Sequence, residues 1–595
     1  MSGFTTRPEI LGTFGTATST HWIASAVGMK LLEDGGTAVD AAAAMWLVHC
    51  VVEPHLCGPL GDMTAMLRVA GEDAPHVVCG QGVAPAAATI DHYRDQGLDL
   101  IPGSGLLSTV VPGTFGAWIL MLRDHGRLSI RDIFAPAIHY ARHGHPVLER
   151  VSVTIDGLSD FFRDEWPTSA ETWLPGGCAP AAESLFRNPA LADALDRIVT
   201  EAEAAGPREQ QVEAARRAIY EGFVAEAIDT WVRKACVMDA SGQRNSGVLT
   251  GADMAAWSAT YEPPLATDYH GWTVWKADTW AQSPVLLQSL NVLAGADIGQ
   301  MDLNGADFVH TVTETMKLCF ADREAYYGDP ADTQIPVLQL LSADYAAARR
   351  GQIGPDASHD QRPGHIVGYE AWRDAALARS GMKIADAGVG AGEPTMAHLT
   401  EKRGDTVHID VIDQWGNVLS ATPSGGWLQS SPVVPGLGMP LNSRAQMFWL
   451  DEGLPTSLAP GRRPRTTLSP SIAGRDGHLL SFGTPGGDQQ DQWQLIFFLR
   501  HVHGVTNLQA AIDAPLFHTG HFQASFYPHP TQPGHLMLEP SFGADVIADL
   551  RARGHDADVA EPWSVGRLTA ASRAPDGLLR AAATPRLMQA YAIGR

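Results

Sequence analysis

The sequence predicts an α+β protein, and three observations predict it. Apolar residues recur at helical spacing in 20–51, through most of 115–235 and in 307–327. Short strand-forming runs bounded by turn signals occupy 64–90, 270–277 and 406–424. Apolar residues make up 45% of the 595, enough to bury a large core.

The elements follow in order along the chain. The opening MSGFTTRPEILGTFG lacks a basic start followed by an apolar stretch, so no secretory leader is read there. No run of 18 apolar residues appears either, and the expectation is a soluble cytoplasmic protein. From His21 to Asp34 a helix carries Ile23, Val27 and Leu31, and Gly35-Gly36 supplies its stop. Thr37 caps the next helix, AVDAAAAMWLVHCVV, which is apolar on nearly all sides and therefore buried. VEPHLCGPLGD is a loop, and 64–90 holds short strands. A helical region spans about 115–260, with amphipathic segments such as LADALDRIVTEAEAA. HGWTVWKA at 270–277 is a strand, and 307–327 is a long helix. From 351 to 399 the chain turns polar and Gly/Ala-rich, and about 385–405 is expected to be a mobile tail. At 406 the pattern changes again. Val407, Ile409 and Val411 alternate with His408 and Asp410, and Asp413 to Asn417 signals a hairpin turn before VLSAT returns.

Charge and cysteine content narrow the function. The net charge of -24 argues against nucleic acid and anionic membrane as partners. The clearest basic patch, with the potential to bind an acid, is Arg462, Arg463 and Arg465. The six cysteines form no Cys-x-x-Cys pair, and all six read as buried small hydrophobes. No metal-ligand spacing is present among the histidines, so no metal and no cofactor is expected.

Three segments carry candidate chemistry. They are Gly404-Asp405-Thr406, the stretch from Arg462 to Ser471, and Phe482-Gly-Thr-Pro-Gly-Gly-Asp488. Taken singly they read as a strand start, a surface loop and a turn. The last lacks the Lys-Ser/Thr that would make it a phosphate loop.

Together with ASAVGMKLLEDGGTAVDAAAA and VVEPH at 24–55, VPGTFGAW at 111–118, TVHIDVIDQWGN at 406–417, PGRRPRTTLSPSI at 460–472 and GTPGGD at 483–488, they stand in the order of a known family. The chain resembles the gamma-glutamyltranspeptidase family of Ntn-hydrolases over nearly its whole length. Resembling enzymes include glutathione hydrolases, cephalosporin acylases and oxamate hydrolases. The resemblance implies a four-layer αββα sandwich, two stacked antiparallel sheets between helices. It also implies self-cleavage between Asp405 and Thr406, giving a large fragment 1–405 and a small fragment 406–595 that share one core. A free α-amine titrates near pH 7.7–8.0, so cleavage would create the base that activates the Thr406 hydroxyl. Ser424 matches a second hydroxyl that contacts this threonine, with a turn serine as the plain alternative. Gly486 and Gly487 match the oxyanion site, where glycine lets backbone N–H groups approach a developing negative oxygen. Thr466 and Thr467 match a hydroxyl pair that contacts the substrate carboxylate. His408 reads as structural.

The recognition residues depart from the family. Relatives hold an α-carboxylate with an arginine where this chain has Gln81, and an α-ammonium with an acid where it has Met447. An asparagine of relatives is Gly426. Losing one partner of a buried charged pair costs about 2–5 kcal/mol, more than tenfold in binding. The expected chemistry is therefore the family's, on an acyl group other than gamma-glutamyl. Arg444 replaces a glutamine and is a candidate carboxylate binder, or a surface or structural arginine. Trp427, Trp449 and Trp493 are candidates for an apolar wall or for core. The stretch from Trp449 to Pro460 is shorter than the lid of many relatives. The expected partners are a small-molecule amide or peptide-like substrate and the two fragments themselves. A homodimer of processed heterodimers stays open, as do a rebuilt gamma-glutamyl clamp and an uncleaved binding protein.

Overall fold

Alternation along one strand sets the layers. Val407, Ile409 and Val411 point to one side and Thr406, His408, Asp410 and Ile412 to the other, as a strand's period of two requires. The first set packs on helices, and the second faces another sheet. A computed structural model describes residues 4–380 and 406–595. The predicted mobile tail and Asp405 lie outside the described residues.

Two seven-stranded antiparallel sheets are stacked. One runs in the order Tyr591–Gly594, Thr16–Ser19, Ile409–Ile412, Val418–Ser424, Asp62–Arg68, His76–Gly80, Thr260–Glu262. The other runs Ile10–Gly12, Leu579–Ala583, Thr569–Arg573, His478–Gly483, Ser471–Arg475, Trp272–Lys276, Leu265–Tyr269. Three apolar interfaces join the layers. Helices Trp22–Glu33, Ala38–Val52 and Thr114–His125 cover Met63, Ala65, Val407 and Ile409 of the first sheet. Met66, Val77, Ile412 and Val418 meet Ile472, Leu479, Ala571 and Ala581 between the sheets. Helices Pro284–Leu293, Ala306–Tyr326 and Gln490–His503 cover Val274, Ala473, Leu480 and Phe482 of the second. The expected αββα sandwich is therefore present, and chain from both sides of position 406 contributes to all three interfaces.

The helix Ala38–Val52 is buried at every position, and Thr37 and Asp40 close a reciprocal capping box at its start. The hairpin turn is also as expected: Gly416 has φ +89°, and the Asp413 N–H donates to the Asn417 carbonyl at 3.2 Å. Two expectations fail. Cys178 and Cys236 are exposed rather than buried, because both lie in connecting segments outside the regular elements. The basic stretch is not a free patch. Arg462 pairs with Asp332, Arg463 with Asp329 and Glu262, and buried Arg465 with Glu324. Among the described residues no helix is long and apolar enough to cross a membrane.

Candidate active site

One end of the first sheet gathers the predicted chemistry into a row. Thr406 bridges Ser424 across antiparallel strands, and their hydroxyl oxygens are 3.1 Å apart. Ser424 is in register with Asp62 on the next strand. Met63 pairs with Gly80 on the strand after that, so Gln81 stands beside Asp62. Directly opposed residues share a face, and strands lie about 4.8 Å apart, so the row Thr406, Ser424, Asp62, Gln81 spans roughly 14 Å. All four residues are buried. Gly425 and Gly426 follow at φ +72° and +63°. A Cβ on Gly61 would sit 1.9 Å from the Ser424 carbonyl oxygen, so the turn beyond Ser424 closes tightly on the neighbouring strand.

Below the row, the same strand face stays polar. His408 bonds Thr422 at 2.8 Å and Asp410 at 3.2 Å, and Asp410 accepts from Thr569 of the opposite sheet at 2.8 Å. A Cβ on Gly483 would lie 2.1 Å from the His408 ring, so the imidazole fills the gap between sheets. This is the structural role expected of His408.

Arg444 is neither a surface residue nor an uncommitted clamp. It is fully buried, and its Nε donates to Asp62 Oδ1 at 2.7 Å. Burial pushes the Asp62 carboxyl up, and the Arg444 charge opposes that rise. The two terminal nitrogens, Nη1 and Nη2, are buried with no partner among the described residues. The guanidinium lies 4.9 Å from the Trp427 ring centre and 5.7 Å from that of Phe526. Met447 completes this apolar cluster, so the position where relatives carry an acid is part of a wall here. Trp449 instead stacks on His529, and Trp493 packs over Gly486.

Thr466 does not reach outward. Its hydroxyl donates to Asp62 Oδ2 at 3.3 Å, while the Thr467 hydroxyl is buried without a partner among the described residues. Gln81 donates to the Gly82 carbonyl at 3.0 Å, and its Oε1 is left unpartnered in the same sense.

The glycine pair has a backbone that side chains would strain. Gly486 and Gly487 have φ +126° and +52°, and a Cβ on Gly486 would meet Trp493 at 2.4 Å. Gln282 Nε2 donates to the Gly487 carbonyl at 3.2 Å. Arg323 donates to Gln282 Oε1 at 2.9 Å and pairs with Asp488, which also accepts the Ser525 N–H at 2.8 Å. Burial works against the charge on Asp488, but Arg323 and Ser525 hold its carboxyl below the usual range. The network fixes the peptide that follows Gly487. Losing one oxyanion contact costs about 10²–10³ in kcat. Gln282→Ala disturbs that geometry indirectly, and the expected result is a fall in kcat of about tenfold or more with little change in KM, read from steady-state kinetics.

Sequence reasoning missed Asp62, Phe526, Gln282 and Arg323. Asp62 had one signal, a carboxylate heading the mostly apolar run MTAML; the others lie far from the motifs in sequence. Among the described residues no group of His, Cys, Asp and Glu is arranged to hold a metal.

Residues 24–594 match the family model described as Gamma-glutamyltranspeptidase. The chain is 30% identical to the Acylase ACY 1 proenzyme of Pseudomonas sp. (strain V22), covering 96% of this chain and 92% of that one. It is 30% identical to the Oxamate amidohydrolase proenzyme of Klebsiella pneumoniae subsp. pneumoniae, covering 97% and 98%. Its fold superposes on the solved structure of LmbA2991HD with a TM-score of 0.93 at 51% identity, covering 100% of both chains. The order of motifs, the αββα layers and these matches agree: the chain belongs to the gamma-glutamyltranspeptidase family and is an amidohydrolase of the Ntn-hydrolase class.

Proposed function

We propose that the chain is a proenzyme that cleaves itself before Thr406 and then hydrolyses the amide of a carboxylate-bearing acyl group through an acyl-Thr406 ester. The observation that carries the acyl preference is the Arg444 fork, with two buried nitrogens that have no partner among the described residues, on the Thr406 side of the sheet. A carboxylate fits that fork with two parallel charge-assisted bonds.

The steps follow from this reading. Thr406 Oγ1 attacks the Asp405 carbonyl carbon, the peptide C–N bond breaks, and water hydrolyses the ester to leave the Asp405 carboxylate and a free Thr406 amine. That amine takes the Oγ1 proton as Oγ1 attacks the substrate amide carbon. The Gly486 and Gly487 N–H groups receive the oxyanion. Collapse expels the amine with the proton, and water releases the acid. Ser424 orients Oγ1 at 3.1 Å.

The acylase and oxamate amidohydrolase names of the relatives fit such an acyl group. A gamma-glutamyl ammonium would find Met447 in an apolar wall and Asp62 already shared by Arg444 and Thr466. The test compares kcat/KM for gamma-glutamyl, glutaryl and oxamate-type anilides. The carboxylated acyls without an ammonium are expected to lead by tenfold or more, about 1.4 kcal/mol. A lead for gamma-glutamyl would overturn the acyl assignment.

A further inference from the structure

Gln81, at the end of the row, also lines a cleft of about 630 Å³, within the size range of small-molecule sites. Gln81 is buried, lines this cleft and leaves Oε1 unpartnered among the described residues. Two chain segments tie the cleft to the catalytic row. One is the strand end that carries Gln81 next to Asp62. The other runs from Pro460, in the cleft wall, through Arg463 to Thr466, which bonds Asp62. The segments are pinned together: the Ala84 N–H donates to the Arg462 carbonyl at 2.8 Å, and the Gly461 N–H to the Ala84 carbonyl at 2.9 Å. These bonds join the two segments that lead from the cleft wall to the catalytic row.

The lining specifies a chemistry. Trp257, Val83 and Pro460 offer flat and apolar surface. Asp253, Glu262 and Asp329 face a single cation, Arg463, so the cleft disfavours a further anion. Arg463 is already saturated by Glu262 at 2.6 Å and Asp329 at 2.7 Å. Cys79 is also in the lining, but burial pushes its thiol up to about 11, so it stays protonated and unreactive.

We propose that this cleft receives the far end of the acyl group. The acyl chain starts at Thr406, gives its carboxylate to Arg444, and continues past Gln81 as a flat, ring-bearing extension that is neutral or cationic. This rests on the acyl reading given above and adds the shape and charge of the extension. An arginine at position 81 would place a charge at the end of the row that lines the cleft; glutamine leaves it neutral.

The test is calorimetric titration of the wild-type protein with free acids, which needs no turnover. The compact acid is oxamate, and the extended acids are aryl-substituted carboxylates tipped with an amine or with a second carboxylate. The amine-tipped acid is expected to bind tenfold or more tighter than oxamate, and the carboxylate-tipped one to lose that gain. Ser258→Trp and Val83→Phe, which narrow the cleft from two sides, are expected to remove the gain. Equal affinity of oxamate and the amine-tipped acid, or a gain untouched in both folded variants, overturns the proposal. A failure of anilide hydrolysis alongside the expected titration would count instead against the acyl-threonine reading, so the two failures are distinguishable.

Discussion

Wild-type protein is expected to run on a denaturing gel as two bands, one ending at Asp405 and one beginning at Thr406, while Thr406→Ala runs as one. The expectation rests on position. Thr406 starts the strand run that occupies the middle of the first sheet, where flanking strands hold it by main-chain bonds on both sides. Cleavage therefore frees an amine without freeing the strand. The interleaving of chain from both sides of the cut in all three core interfaces predicts that the bands co-elute under native conditions. Loss of the hydroxyl removes processing and the acyl ester together, so amide hydrolysis falls by about a thousandfold or more. Thr406→Ser keeps the hydroxyl and should process, more slowly for want of the methyl that fixes its rotamer. In the cleaved enzyme the rate should rise with pH as the amine loses its proton, around pH 7.7–8.0 if that group keeps its ordinary value. Edman sequencing of the smaller band checks the cut directly, and one uncleaved wild-type band after long incubation would overturn the assignment.

The fold was largely legible because its signals are local. The all-apolar helix Ala38–Val52, the alternation from Thr406 to Ile412 and the turn at Asp413 to Asn417 each report on their own neighbours. Thr406, Ser424 and the glycine pair stood out because each sits in a short motif, and the sheet brings the first two together. Recognition was less so. Arg444 was visible as a replacement, but its meaning depends on Asp62, far away in sequence and brought close only by the register of Ser424 with Asp62. The same holds for Met447, which reads as a lost acid until Trp427 and Phe526 show the wall it joins. A sheet end assembled from four strands brings together pairs that no single segment contains.

Arg444 is the residue where structure and recognition must be separated by experiment. Arg444→Met leaves Asp62 buried without its guanidinium partner, and breaking a buried pair this way costs about 3–5 kcal/mol of stability. A large fall in Tm is expected, and by itself it says nothing about substrate. The double variant Asp62→Asn with Arg444→Met removes both charges. Replacing a buried pair by neutral groups is often close to neutral, so most of the lost Tm should return. Activity should not return with it. Without the two Nη donors a substrate carboxylate loses about 2–5 kcal/mol, which is a drop in kcat/KM of roughly thirtyfold or more. The drop should fall mainly on KM if the carboxylate contact is the same in ground and transition states. The neutral acetyl anilide, poor with the wild type, should be affected far less. If the stabilised double variant keeps its preference for carboxylated acyl groups, Arg444 is a brace for Asp62 and the carboxylate is held elsewhere. If the preference collapses while Tm recovers, the two unpartnered nitrogens are the recognition element.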